Sequence, residues 1–458
     1  MLNNPTFLLI TTFLGSIFLH HFLPRNIRNG ITPWVFAYML WVLLFGMGTT
    51  GVYHFFATAF NFVIVMVLSN GCTLKEAKRN PVWTSFLFFW SYLVFSGMFG
   101  LFPYAATVSY LTTLLMSFAT GVYIAMWVVN TEGSLRRLAY AVVWSAVAFC
   151  AYSILHGGFS NAQMMETGRM ALDASTFEEG FAMNQNSMAA YVLCYLPFLI
   201  IALLLPIRNS KEQTMKLLSI GAILIMTLLL IRSGSRAGGL GLLPCCWYFI
   251  YSTTNRMKRR KRISLFIIAT ILICVGVIVT MRGIDRLRSF DIRNQEMNDL
   301  YGKGFSLDKV TTGRTRIYEN LINDMSPLQM IFGRGLIRNV HEKGSDVQGK
   351  VMGGNDHSSF VSIFVRGGIV GSLLFIVFIV MYMRRAVRLG DRGRLALFLL
   401  IIWLMQNLGE SWGINGGRIS VLLGMGIGFL TNQRIKNSEL MNDAEKRFYP
   451  TMPFPFYP

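Results

Sequence analysis

Acidic residues are scarce in this sequence and absent from its long apolar runs. Only 22 Asp and Glu stand against 42 Lys and Arg, and charged residues of either sign fill 14% of the 458 positions, while 53% are hydrophobic. A soluble fold is excluded by that balance, because apolar stretches long enough to cross a bilayer recur along the chain. Cysteine is equally sparse: Cys72, Cys150, Cys194, Cys245, Cys246 and Cys274, all but Cys72 inside apolar runs. No disulfide framework or CxxC metal site follows from that placement. There is no Asp-x-Asp and no His/Asp/Glu cluster at ligand spacing in the polar loops, so no metal and no cofactor is expected. The opening "MLNNPTFLLITTFLGSIFLHHF" lacks the basic start and small-residue cleavage site of a signal peptide and reads as a retained first span. No internal repeat and no second soluble domain are visible.

What is present is a formal charge of +20, dispersed in short clusters between the apolar runs. One continuous basic face would be needed for nucleic-acid binding, so orientation in a bilayer explains the charge better. The pattern predicts an all-α polytopic membrane protein of about 12–13 transmembrane helices. Thirteen candidates lie at about 6–22, 32–47, 51–69, 83–100, 106–129, 136–156, 186–205, 215–231, 237–252, 263–281, 358–383, 394–409 and 418–431. Basic residues follow the odd-numbered spans, as in "RMKRRKR" at 256–262 and Arg384/Arg385/Arg388/Arg392/Arg394, which assigns those loops to the cytoplasm. The chain then divides into ten spans over 1–281, an outer loop over 282–357, three spans over 358–431 and a cytoplasmic tail over 432–458. Within the outer loop, "TTGRTRIYENLINDMSPLQMIFGRG" reads as two short amphipathic helices at the membrane surface, stopped at Ser326-Pro327 and again at Gly333 and Gly335.

Polar groups of chemical interest collect at the outer boundary. In "IRSGSRAGG", Arg232 and Arg236 flank a tight turn on the side where arginine is disfavoured. Two guanidiniums there suit phosphate oxygens, and equally suit snorkelling to lipid headgroups. In "TGRTRIY", Arg314 and Arg316 fall in the first turn of the first loop helix, where free N–H groups and the dipole favour an anion; a solvated face paired with Glu319 and Asp324 is the plainer reading. Asn184 and Asn186 open the seventh span, placed to bind sugar hydroxyls or to cap the helix. "NDHSSFVSIFVRGGIVG" at 355–371 puts His357, a ring suited to proton transfer near neutral pH, at the mouth of the eleventh span. Arg366 lies nine residues on, nearly opposite His357 around a continuous helix, unless the helix breaks at Gly367-Gly368. His20 and His21 lack any arginine context and read as structural.

The order of these clusters resembles the O-antigen ligase and polymerase superfamily of bacterial membrane glycan transferases. That family's pattern runs Asn-x-Asn, an S-R-G-like turn, G-R-x-x-x-(W/Y) in a large periplasmic loop, h-P-h-h-G-x-G, and His-Asn before a span ending G-(I/L)-h-G. Here the places are filled by "NQN" at 184–186, "GSRAG" at 234–238, "GRTRIY" at 313–318, "SPLQMIFGRG" at 326–335 and "DHSSFVSIFVRGGIVG" at 356–371. The likeness covers roughly 180–380, and departs at Ser358, where many members have Asn, and at Ala237, where Gly is common.

The resemblance implies a GT-C-like, metal-independent glycosyltransferase in the bacterial inner membrane, multi-pass, with its active site facing the periplasm. Its implied donor is an undecaprenyl-diphosphate-linked oligosaccharide and its acceptor a glycan or lipid A-core; membrane lipids surround it and no nucleic acid is involved. Carried over by position, His357, Arg314 and Arg236 look catalytic, and Arg232, Arg316, Asn184 and Asn186 substrate-binding. Ser358 tilts the reading toward a polymerase of O-antigen or exopolysaccharide repeat units rather than a ligase, with a protein O-oligosaccharyltransferase a third acceptor type. From another class, a lipid-linked glycan transporter or flippase would show repeats, broken helices and ionisable groups near mid-membrane, which the sequence does not display.

Overall fold

The computed structural model describes residues 14–15, 18, 22, 24, 27, 30–37, 52–68, 80–99, 104–131, 133–155, 185–233, 236–254, 264, 314–335, 358–408 and 419–431. The expected spans at 6–22, 32–47 and 263–281, much of the outer loop and the tail therefore lie wholly or mostly outside the described residues. Among the described residues every regular element is helical. In chain order these are α1 (Val52–Leu68), α2 (Pro81–Ser96, continued by a 3₁₀ turn Gly97–Phe99), α3 (Tyr104–Asn130), α4 (Ser134–Leu155), α5 (Gln185–Leu204) and α6 (Ser210–Ser233). They continue with α7 (Arg236–Thr254), α8 (Arg314–Asn323), α9 (Pro327–Phe332), α10 (Ser359–Arg388), α11 (Gly390–Leu408) and α12 (Ile419–Phe429). Among the described residues, three stretches are long and apolar enough to cross a membrane, Ser134–Ile154, Ser210–Leu230 and Ser359–Arg388; shorter apolar helices include Pro81–Ser96 and Ile419–Phe429.

The helices pack through small residues and aromatic ladders. Gly424 and Gly428 of α12, four apart, meet the backbone of Phe118 and Val122 in α3, and Gly121 of α3 meets Val421 in return; a Cβ at any of the three would collide. Close backbone approach of this kind is how helices associate where no water drives them together. Between α2 and α10, Phe86 meets Phe378 at 5.5 Å and Phe89 meets Phe375 at 5.4 Å. Asn80 caps α2 by accepting from Val82 N–H at 3.0 Å and donates across to Ile427 C=O at 2.9 Å, tying α2 to the end of α12.

An ion pair locks α4 to α6 near the ends marked by basic clusters, here called the arginine end. Arg136 donates to Glu212 at 2.5 Å, and the second Glu212 oxygen accepts from Arg208 N–H at 2.6 Å. Glu212→Gln keeps the shape and removes the charge, so it is expected to lower stability by about 1.5–3 kcal/mol, the worth of hydrogen bonds to a charged group. A lowered Tm in detergent, with the helical content below it unchanged, is the measurement.

Two sequence expectations take definite form here. Ser326-Pro327, read as a stop, is also a start: Ser326 Oγ accepts from Gln329 N–H at 3.3 Å, Gln329 Oε1 accepts from Ser326 N–H at 3.0 Å, and Pro327 opens α9. That is a capping box with proline where its missing N–H costs nothing. The eleventh span is not one straight helix: it breaks at the Gly367-Gly368 pair, the alternative that the sequence left open. Gly368 has φ 61°, ψ −159°, and the Phe360 and Phe375 rings lie 6.2 Å apart. Fifteen residues of continuous helix would separate them by roughly 22 Å, so Ser359–Gly367 folds sharply back on the rest of α10. The apolar segment after the break, 369–383, is about 22 Å long, which places the break nearer one membrane boundary than mid-membrane.

Candidate functional site

The break is held from both sides. Gly333 and Gly368 occupy positive-φ backbone and sit so close that a Cβ on Gly333 would enter the Arg366 carbonyl and one on Gly368 the Ile331 carbonyl. Across this contact Arg334 N–H donates to Val365 C=O at 2.9 Å and Gly335 N–H to Arg366 C=O at 3.2 Å. From α2, Ser96 Oγ donates to the same Arg366 carbonyl at 2.8 Å and Tyr92 OH to Phe332 C=O at 3.0 Å. Beneath it Leu321, Met325 and Val365 form a small buried core, with Met330, Val361 and Phe364 against it. The pair α8–α9 is thus docked on the folded-back start of α10.

That docking has two consequences. First, Arg314 opens a helix packed on the segment that begins at Ser359, two residues after His357. Second, two arginines that the sequence reading gave no role are drawn in: Arg366 is buried at 5% exposure, and burial pushes the half-buried Arg334 guanidinium below its usual pKa, with Asp324 opposing. A guanidinium beside two glycines inside an apolar run was the available signal for Arg366.

The other candidates come to the same end of the bundle. A side chain at Gly241 of α7 would run into Leu193 of α5. Counting from that contact, Arg236 lies about 7.5 Å and Asn186 about 10 Å toward the helix starts. Tyr248 of α7 stacks on Phe398 of α11 at 4.0 Å; from there Arg236 is about 18 Å and Asn407 about 13.5 Å toward this same end. Ser359 Oγ donates to Asn407 Oδ1 at 2.5 Å, which brings the start of α10 to that layer. Helix α6 ends at Ser233 and α7 begins at Arg236; the residues between, where a tight turn was expected, lie outside the described residues. His357 and Asn184 lie outside the described residues, and for Arg232, Arg236, Arg314, Arg316 and Asn186 only the helix position is described. The starts of α5 and α7, the ends of α6 and α11 and the start of α10 form this layer, the loop end.

One residue of that layer was missed. Gln406 is fully buried, and neither amide atom has a hydrogen-bond partner among the described residues; Trp403 Nε1 and Ser362 Oγ are also buried without one. An unsatisfied buried group costs about 1–3 kcal/mol. The adjacent amides Gln406-Asn407 closing an apolar span were a legible signal, of the same kind as Asn184 and Asn186.

A helical bundle with a docked helix pair and a polar layer at one end defines the class: a multi-pass, all-helical membrane protein. Residues 221–376 match the family model described as O-antigen ligase, which supports the O-antigen ligase/polymerase superfamily and a membrane glycan transferase of that type. The matched segment contains Arg232, Arg236, Arg314, Arg316 and His357, and excludes Asn184, Asn186, Tyr92, Ser96 and Gln406. No curated protein matches the chain.

Proposed function

We propose that the chain is a glycosyltransferase of the bacterial inner membrane that takes glycan from an undecaprenyl-diphosphate carrier at the periplasmic face and polymerises O-antigen or exopolysaccharide repeat units. The observation that carries the reading is the docking of the Arg314 helix on the start of α10. It brings an anion-favouring helix start and the chain neighbours of His357 into one unit, inside the segment matched by the family model. The isoprenoid tail lies among the spans and the diphosphate at the loop end. Arg236 and Arg314, joined by Arg232 and Arg316, offset its growing negative charge as the sugar C1–O bond breaks. His357 accepts the proton of the acceptor hydroxyl as that oxygen attacks C1; Asn184 and Asn186 contact sugar hydroxyls. The scheme uses no metal. Positive-inside orientation, with the Arg384–Arg394 cluster in the cytoplasm, supports a periplasmic loop end.

A ligase joining the glycan to lipid A-core is the second reading, favoured by the description of the matched family. The broken helix at Gly368 is a trait of transporters, but theirs lie at the midplane with the substrate, whereas this break lies nearer one boundary and is filled by the end of α9. Purified protein incubated with lipid-diphosphate oligosaccharide alone is expected to build a ladder of products. Transfer only when lipid A-core is added would make it a ligase; movement of the lipid across vesicles without new linkages would sink both readings.

A further inference from the structure

Gln406 occupies a defined place on α11. At about 100° per residue it stands about 80° round the helix from Phe398, the contact with α7, and Asn407, the contact with α10, stands about 180° round. Leu395, Leu399 and Ile402 on the intervening arc are buried, whereas Ile401 and Leu408 on the opposite side are exposed. The Gln406 amide therefore sits inside the bundle, on the arc between the α7 and α10 contacts, an arc that α12 also packs against through Gly426 beside Ala396 C=O, and within about one turn of the starts of α7 and α10.

A neutral amide offers two donors and one acceptor with two lone pairs, a pattern that fits sugar hydroxyls, each of which donates and accepts. It has no selectivity for phosphate, which the arginines already suit. Native interiors leave few such groups unpaired, and those they leave call for a ligand or water. Ser362, one turn along α10 from Ser359, and Trp403, one turn before Asn407, carry a further hydroxyl and indole N–H with no hydrogen-bond partner among the described residues. We propose that Gln406 is a specificity-determining residue of the loop-end site, its buried amide hydrogen-bonding hydroxyls of the sugar ring next to the reacting bond. This rests on the glycan-transferase reading and adds to it a residue beyond the segment matched by the family model.

The test compares wild type with Gln406→Met and Gln406→Leu, which keep the volume and remove the amide. The probe is the undecaprenyl-diphosphate oligosaccharide isolated from the source membranes, followed by transfer kinetics, by calorimetric titration and by Tm. Both variants are expected to keep or raise Tm, since an unpaired buried amide is removed, while KM and the calorimetric Kd rise roughly tenfold or more as hydrogen bonds to the sugar are lost. An unchanged Kd, or a fall in Tm marking the amide as part of the fold, would overturn the proposal. If wild type itself transfers nothing, the functional reading fails separately, and the titration still decides: weakened binding in the variants supports the role of Gln406, and equal or absent binding in all three overturns it.

Discussion

His357→Ala is expected to lower glycan transfer by about 10²–10⁴-fold with Tm unchanged, the loss that follows removal of a placed general base. The fold offers a reason for the unchanged Tm. The helix that follows His357 is anchored without it: Ser358 C=O accepts from Ser362 N–H at 2.9 Å, Ser359 is bonded to Asn407, and Asn407 Nδ2 donates to Trp403 C=O at 2.6 Å. Arg314→Ala is expected to cost about 10²–10³-fold, the scale for removing one preformed electrostatic contact to developing charge. Arg314 opens α8, whose hold on the rest comes from Leu321 and Met325 two turns or more further on, so docking should survive. Single-turnover transfer from the lipid-diphosphate donor, with Tm as control, reads both. Full activity in both variants would remove His357 and Arg314 from the chemistry; a fall in Tm matching the fall in rate would make them structural.

The helices were legible because bilayer thickness and apolar composition constrain them together. The expected 106–129 is Tyr104–Asn130, and 186–205 is Gln185–Leu204. Where charge was used to set a boundary, the helix overran it. The span expected from 215 begins at Ser210, because Asn209 caps it at 3.0 Å through Glu212 N–H and the Arg136 pair neutralises Glu212. The pair α8–α9 was visible from apolar spacing and a Ser-Pro stop, and Arg314 was placed in its first turn correctly. What could not be read was the partner of Gly333-Arg334-Gly335, since a docking contact joins segments more than thirty residues apart and leaves no local period. The Gly367-Gly368 pair announced a possible break, yet only its contact with α9 fixes the conformation. Gln406 was missed for another reason: the adjacent amides Gln406-Asn407 marked the place, but the burial of Gln406 without a hydrogen-bond partner among the described residues depends on which arc of α11 faces inward.

Gly368→Ala is expected to undock α8–α9 and abolish transfer while leaving the spans assembled. Two costs add at this position. The backbone at φ 61°, ψ −159° is essentially reserved for glycine and strains alanine by about 1–3 kcal/mol. The added Cβ would also meet the Ile331 carbonyl and Gly333 N, backbone atoms that cannot swing aside, for a further overpacking cost of about 1–3 kcal/mol. Against this stand two backbone hydrogen bonds, the Tyr92 and Ser96 bonds from α2 and a small apolar core, so the clip is the part that yields. The remainder of the bundle has its own packing, through α3–α12 and the phenylalanines between α2 and α10. Hydrogen exchange should then show faster exchange confined to 314–335 and 359–367, with slow exchange kept in α3 and α12. Tyr92→Phe removes one of the α2 bonds without strain and should loosen the same segments by a smaller amount. If Gly368→Ala leaves protection at 314–335 and transfer both intact, the docked arrangement is not what the site depends on; if α3 and α12 lose protection as well, the break is a folding element of the whole bundle and not a local clip.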